Sequence, residues 1–241
     1  MPRLLPHCTI EQISSEMKKL FNKILIPTYL NGGSAMLLET AADIAVHYNC
    51  SLHLVHVVPF DATSIAIGTS GVVIPQDIIP DRAELEARLN ELCISITAGR
   101  KTTLQTGYSL VKGTWNEVII DMVKRDRYDL VLIAKKKGLI QKLKDNIDPD
   151  NIAHSSNVPV ISIPGKTRLT ALHSIIVPVT DFLPVTKLIY GIYLSRCYHT
   201  TLRLLGIDNE QNKDRLQYYL TKAYGLVKDN CNSTLTHGNS A

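Results

Sequence analysis

Short apolar runs alternate with longer amphipathic segments over the first two thirds of the chain. Four runs have the length and the Val, Ile and Leu content that are typical of strands in a parallel sheet; they lie at 23–28, 51–58, 129–134 and 158–163. A further strand is predicted at 101–111, where polar and apolar residues alternate as in an edge or half-buried strand. The segments between them repeat apolar residues at helical spacing, as in Leu85, Leu89, Leu92 and Ile96. Strands that alternate with helices predict an α/β fold with a doubly wound, parallel, five-stranded sheet.

The pattern starts again about 150 residues further along the chain, which indicates an internal repeat of domain size. Residues 22–28 (NKILIPT) are echoed by 173–179 (HSIIVPV), and 47–54 (HYNCSLHL) by 197–204 (CYHTTLRL). A further helix is predicted at about 213–229, and the sequence ends just into what would be a third strand. The second unit therefore lacks counterparts of the fourth and fifth strands.

Such a half-sheet leaves one edge of its first strand unpaired, and an open edge is costly to expose. Either the chain is a fragment, or the half-domain packs on the first domain or on another subunit; the sequence leaves these alternatives open. The predicted organisation has three parts: an N-terminal amphipathic helix (1–21), a complete domain (22–165) and a partial second unit (166–241).

The N-terminal helix is predicted from a capping pattern and an apolar stripe. Thr9 and Gln12 have the spacing of a capping box, and the apolar residues that follow fall on one side of a helix: Ile10, Ile13, Met17 and Leu20. The segment has no unbroken apolar core and no small-residue cleavage site, which argues against a secretory signal. We expect it to dock on the domain or on a partner.

Composition and charge exclude several classes of function. The 26 Lys and Arg against 22 Asp and Glu give a net charge of +4 with scattered bases, which does not indicate nucleic-acid binding. The apolar runs are far shorter than the roughly 20 residues needed to cross a membrane. The 5 cysteines are odd in number and never spaced as CxxC, so we expect reduced thiols in a cytoplasmic protein without a metal site.

Five motifs in order carry a resemblance to a known family. They are ILIPT at 24–28, LHLVHVV at 52–58, VKG at 111–113, YDLVLI at 128–133 and NVPVISI at 157–163. Together they resemble the universal stress proteins over residues 21–165, with a partial copy at 172–236. The resemblance implies the adenine-nucleotide α-hydrolase-like fold with strand order 3-2-1-4-5. It also implies dimerisation, often through the last strand, and a role in stress survival or regulation that is non-catalytic.

ATP-binding members of the family have three features that this sequence lacks. The aspartate that ends the first strand is replaced by Tyr29, and the first glycine of the Gly-x-x-Gly loop after the fourth strand is replaced by Ala134. The helix that should open with Gly-Ser or Gly-Thr begins at Asp148-Pro149-Asp150, where carboxylates satisfy a helix N-terminus and repel phosphate. These departures from the family pattern disfavour ATP binding, so we expect no ATP or other cofactor to be bound.

A nucleotide or anion pocket remains an alternative at the switch point between strands one and four, where doubly wound folds bind ligands. Its candidate residues come from the ends of strands one, two and four and the loop that follows: Thr28, Tyr29, Val57, Ala134, Lys135, Lys137 and Gly138. Lysines 135–137 could hold an anion in place of the lost glycine loop. The favoured interpretation is a solvated loop whose charges pair with Asp145, Asp148 and Asp150.

Other candidate sites have ordinary structural explanations. The segment NGGS at 31–34 is interpreted as a turn followed by a helix cap. His53 and His56 have strand spacing that places them on opposite faces, so they cannot bind one metal together. The sequence also lacks the Ser-Gly-Gly-x-Asp-Ser and His-Ile-Gly-His signatures of ATP-using enzymes with this fold.

The leading hypothesis is a non-catalytic stress-response or regulatory protein that acts as a homodimer or higher homo-oligomer, or by binding a protein partner. A nucleotide-binding switch, responding to ATP or a nucleotide second messenger, is the first alternative. An ATP-using enzyme of the adenine-nucleotide α-hydrolase-like group ranks lowest.

Overall fold

The computed structural model describes residues 20–30, 35–59, 81–100, 103–135, 147–164, 173–208 and 213–239. The chain divides into two compact units, one of which is Lys19–Thr167 and the other the rest of the chain. The predicted helix at 1–21 and the turn at 31–34 fall largely or wholly outside the described residues.

The first unit alternates strands and helices as the hydrophobic pattern predicts. Its elements are β1 (Lys23–Pro27), α1 (Ala35–Tyr48), β2 (Ser51–Val58), α2 (Arg82–Thr97), β3 (Thr106–Lys112), α3 (Trp115–Asp126), β4 (Leu130–Lys135), α4 (Pro149–Ser156) and β5 (Val160–Pro164). The strands form one parallel sheet in the order β3-β2-β1-β4-β5. The predicted fold class and strand order are confirmed.

The largest difference from the predicted bounds is at β3, which begins at Thr106 rather than at residue 101. Pairing with β2 sets this limit, because Leu52 lies opposite Thr106 and its N–H donates to the carbonyl of Gln105 at 2.9 Å. β2 starts only one residue earlier, at Ser51, so the chain before Thr106 has little neighbouring strand to pair with.

Both faces of this sheet are buried under helices. Leu25, Val55 and Val57 on one face pack with residues of α3 and α4 in a single apolar cluster. Successive strand residues point to opposite faces, and the intervening residues Ile24 and Leu54 are also completely buried. The helices α1 and α2 contact β2, β3 and β4. This two-sided burial explains why the central strands β1 and β4 are nearly continuous apolar runs, whereas the edge strand β3 is only partly buried.

The second unit has a smaller parallel sheet. Its described elements are β6 (Ser174–Val179), α5 (Val185–Tyr198), β7 (Thr201–Asp208), α6 (Lys213–Val227) and β8 (Ser233–Asn239), and the sheet order is β6-β7-β8. The third strand, β8, is seven residues long, whereas the sequence predicted only the start of a strand here. Because both crossovers are βαβ connections of the same hand, α5 and α6 lie on the same face of this sheet.

Gly191 lets α5 approach the sheet closely. A Cβ atom on Gly191 would lie 2.6 Å from Cδ1 of Leu202 and 3.1 Å from Cγ2 of Val177. Both of these side chains are buried. The helix therefore packs on the face that carries Val177 and Leu202.

Candidate functional site

The carboxyl ends of β1, β2 and β4 bring several predicted site residues to one edge of the first sheet. Pro27 is paired with Val55, so the register sets Tyr29 level with Val57. Leu25 is paired with Val131, so Thr28 is level with Ala134, next to the strand end at Lys135. Lys137 and Gly138 lie outside the described residues. The lysine-run hypothesis therefore stays a prediction.

Tyr29 fills part of this edge with an aromatic ring. Only 8% of Tyr29 is exposed, and its ring centroid lies 4.6 Å from that of Trp115. The ring of His56 meets Trp115 edge-on at 5.8 Å. Aromatic pairs at these distances attract one another in addition to burying apolar surface. An aromatic cluster thus stands where the resemblance implies an acidic side chain in ATP-binding relatives.

Sequence reasoning missed Trp115 as a residue of this site. The indole comes to the edge because Gly113 turns the chain out of β3: its N–H donates to the carbonyl of Val58 at 3.0 Å, and its φ of 153° disfavours a side chain. Thr114 then precedes the first helical residue, Trp115. The sequence did contain a signal for Trp115, namely Gly113. A glycine between a strand and a helix places the start of the helix at the carboxyl edge of the sheet.

The buried Thr28 ties this edge together through its backbone. Its N–H donates to the carbonyl of Val55 at 2.8 Å, and its hydroxyl donates to the carbonyl of Ile26 at 3.0 Å. Its carbonyl lies 2.8 Å from Nδ1 of His56. A carbonyl oxygen only accepts, so Nδ1 of His56 carries the hydrogen. Burial lowers the pKa of His56, with the hydrogen bond to Thr28 opposing, so the ring is neutral at pH 7.

The N-terminus of α4 is capped by the chain itself. The carboxylate of Asp148 accepts hydrogen bonds from the N–H groups of Asp150 (3.0 Å) and Asn151 (3.1 Å). Asn116, beside Trp115 in α3, accepts from the N–H of Asp148 at 2.9 Å. The capping expected from the sequence is observed for Asp148, whereas Asp150 adds a second negative charge to the first turn.

An open pocket of about 700 Å³ lies at the opposite, amino edge of the sheet. Most of its polar lining already has partners within the fold. The Asp129 carboxylate accepts from the N–H groups of Asn22 (2.7 Å) and Lys23 (3.0 Å), and Nζ of Lys23 donates to the carbonyl of Asp126. These contacts fix the start of β1 and the end of α3, so we interpret this pocket as structural.

Two ionisable rings line this pocket and pack against each other. His53 lies 5.8 Å from the ring of Tyr128, and its Nε2 is 2.8 Å from the hydroxyl of Ser109. Burial lowers the pKa of His53 despite the opposing charge of Asp126, and burial raises the pKa of Tyr128 to about 12. Both side chains are therefore uncharged at neutral pH. His53 and His56 have different neighbours, consistent with their predicted separation.

The described residues contain no group of three or more His, Cys, Asp or Glu side chains that could hold a metal ion. Among the described residues, Cys50, Cys93 and Cys231 form no disulfide bond. Among the helices that the structure describes, none is long and apolar enough to span a membrane.

Comparison with known proteins supports the fold. Residues 20–164 match the model of the universal stress protein family. A universal stress protein from Archaeoglobus fulgidus DSM 4304 has a TM-score of 0.64 at 16% identity, over 93% of this chain and 79% of that chain. A functionally unknown protein from Pseudomonas aeruginosa PAO1 has a TM-score of 0.62 at 14% identity, over 92% and 76%.

A further solved structure is a universal stress protein in complex with cAMP. It has a TM-score of 0.44 at 16% identity, over 61% of this chain and 98% of that chain, which is too low a similarity to argue for a ligand here. No curated protein matches the chain.

Proposed function

Because the chain belongs to the universal stress protein family over residues 20–164, we propose that it is a non-catalytic regulatory protein of the stress response that does not bind ATP. We propose that it acts in the cytoplasm as a homodimer or higher homo-oligomer, or through a protein partner. The proposal thus has two parts: the chain does not bind ATP, and it acts through contacts with other protein chains.

The observation that carries the proposal is the aromatic packing at the carboxyl edge of β1. Tyr29 is buried against Trp115, so the position where the family places an acid is occupied by a ring. A nucleotide that approached this edge would have to displace the ring or contact the remaining surface. Displacing a buried aromatic side chain costs the free energy of its packing.

The capped start of α4 supports the same proposal from the phosphate side. Helix N-termini bind phosphate through free N–H groups and a favourable dipole. Here the carboxylate of Asp148 already accepts from two of these groups, and Asp150 adds a further negative charge. A phosphate would have to break the cap and approach two carboxylates, which like-charge repulsion opposes.

The test is a search for nucleotide binding by the full chain. We expect ATP, AMP and cAMP, each at 2 mM as a chosen assay level of roughly 100 times a 20 µM Kd, to leave the melting temperature unchanged. A ligand at 100 times its Kd adds about 2.7 kcal/mol of stability, or about 5–10 °C in a chain of this size. Isothermal titration calorimetry provides the second readout.

The matched variant is Asp148→Ser, which keeps a capping oxygen and removes the charge. We expect it to bind no nucleotide either, because Tyr29 still fills the edge of the sheet. A saturable shift of several degrees with the unaltered chain contradicts the proposal. A shift that only Asp148→Ser shows would mean that the carboxylate, and not the ring, excludes the ligand.

A further inference from the structure

One face of the second sheet carries apolar side chains that no described helix of that unit covers. Ile176 on β6 and Leu205 and Ile207 on β7 alternate with the residues that face α5, so they point to the opposite face. Ile176 is 58% exposed and Ile207 is 42% exposed, whereas Leu205 is half-buried. We call these three residues the open face.

The internal repeat shows how unusual this exposure is. Leu25, Val55 and Val57 occupy the corresponding positions of the first sheet and are 0%, 0% and 1% exposed, because α3 and α4 cover them. The described part of the second unit has only α5 and α6, both on the other face. Exposed apolar side chains on one uncovered face of a sheet indicate a docking surface.

We propose that the open face binds the chain's own N-terminal segment, residues 1–18. This segment lies outside the described residues, and its sequence predicts an amphipathic helix with a stripe of Ile10, Ile13 and Met17. The first sheet already has helices on both faces, so the open face is the one described sheet surface that lacks a cover. The amphipathic segment thus needs an apolar surface to bind, and the open face provides one.

The dimensions of the two partners agree. A helix over residues 9–18 is about 15 Å long at 1.5 Å per residue. Three strands, each about 4.8 Å wide, present a surface about 14 Å wide. The apolar residues of the segment span two helical turns, which is enough to contact both β6 and β7.

Charge also favours the segment as the occupant. Arg203 on β7 is level with Ile176 and is exposed, and among the described residues its guanidinium has no ion-pair partner. On a helix, Glu16 falls at the margin of the apolar stripe, where a long side chain can reach a neighbouring cation. A second copy of the open face would instead bring another Arg203 into the interface, and like charges oppose one another.

The experiment is hydrogen–deuterium exchange of the full chain and of three variants, with peptides that cover β6 and β7. Deletion of residues 1–18 and the single substitution Met17→Asp should both make these strands exchange faster, on the order of tenfold, because the cover is lost. Ser15→Asp adds the same charge on the opposite side of the helix and should leave the exchange unchanged. The peptide that covers β2 is the internal reference, because that strand is buried on both faces.

Two outcomes overturn the proposal. The first is that β6 and β7 exchange at the same rate in Met17→Asp as in Ser15→Asp. The second is that their protection rises with protein concentration and is independent of residues 1–18, which would assign the open face to a second copy. If the deletion variant fails to fold, the two point variants still decide between these results.

Discussion

Tyr29 fills part of the carboxyl edge of the first sheet with a ring that packs against Trp115. Its position was predicted from the sequence, because it directly follows the strand motif at 24–28. Its partner was not predicted, because Trp115 lies 86 residues further along the chain and meets Tyr29 only through the parallel pairing of β1, β2 and β3. The capping of α4 by Asp148 was predictable, because a helix cap joins residues that are close together in the sequence.

Restoring the family's acid at this position should destabilise the first unit. We expect Tyr29→Asp to lower the free energy of unfolding by about 3 kcal/mol or more, because it removes a packed ring and places a carboxylate against Trp115. Tyr29→Phe keeps the ring and should cost roughly 1 kcal/mol or less. Urea unfolding followed by fluorescence reports on this unit, because the chain has 1 tryptophan. Equal stability of the two variants would show that the ring contributes little.

The type and order of the strands and helices were predictable, whereas their ends depended on tertiary pairing. Apolar runs predicted β1, β2, β4 and β5, because a strand buried on both faces is almost wholly apolar. The alternation of polar and apolar residues predicted the edge strand β3. The start of β3 was wrong by five residues, since the limit is set by where β2 begins. The close approach of α5 to its sheet also depends on contacts between elements, which the sequence of the helix alone does not contain.

Two helical glycines provide a matched pair for testing this approach. Gly191→Ala in α5 would place a Cβ 2.6 Å from Cδ1 of the fully buried Leu202. We expect a net loss of about 1 kcal/mol, because the strain of overpacking exceeds the helix propensity of alanine. Gly225→Ala in α6 meets nothing within 4 Å and should gain about 0.5–1 kcal/mol.

Thermal unfolding followed by far-ultraviolet circular dichroism compares the two variants with the unaltered chain. The melting temperature should fall for Gly191→Ala and rise for Gly225→Ala. Two shifts of the same sign and size would mean that α5 does not pack on Leu202 as tightly as the distances indicate.

At the scale of the whole molecule, the sequence predicted two units of unequal completeness, and the described structure has sheets of five and three strands. The repeat at 173–179 predicted a strand where β6 lies, whereas the interpretation of this region as a partial second unit stays a prediction. The sequence did not predict what covers the open face, because periodicity shows that a segment is amphipathic but not which surface it contacts. The assembly of copies was expected from the family resemblance alone.

The edge strand β5 offers a direct test of the proposed homodimer. The N–H of Val131 donates to the carbonyl of Pro159, so alternate residues place the backbone N–H of Ser162 on the outer edge of the sheet. We expect sedimentation velocity to show a dimer for the unaltered chain and for Ser162→Ala, which keeps this donor. Ser162→Pro removes the outward donor without removing a bond to β4, and should weaken the dimer at least about tenfold.

A monomer at all concentrations for the unaltered chain would contradict the proposed assembly. A dimer that is equally strong in Ser162→Pro would place the contact between copies elsewhere on the surface.

The proline in β6 has a consequence for solubility. The N–H of Thr201 donates to the carbonyl of His173, so Ser174, Ile176 and Pro178 direct their backbone groups away from β7, towards the side of β6 that pairs with no described strand. Proline has no N–H, and this side therefore presents two donors rather than three. A strand from another chain that paired with β6 would lack one backbone hydrogen bond at Pro178. Repeated addition of strands, and with it fibre growth, is therefore less favourable. We therefore expect Pro178 to protect the edge of β6 against aggregation.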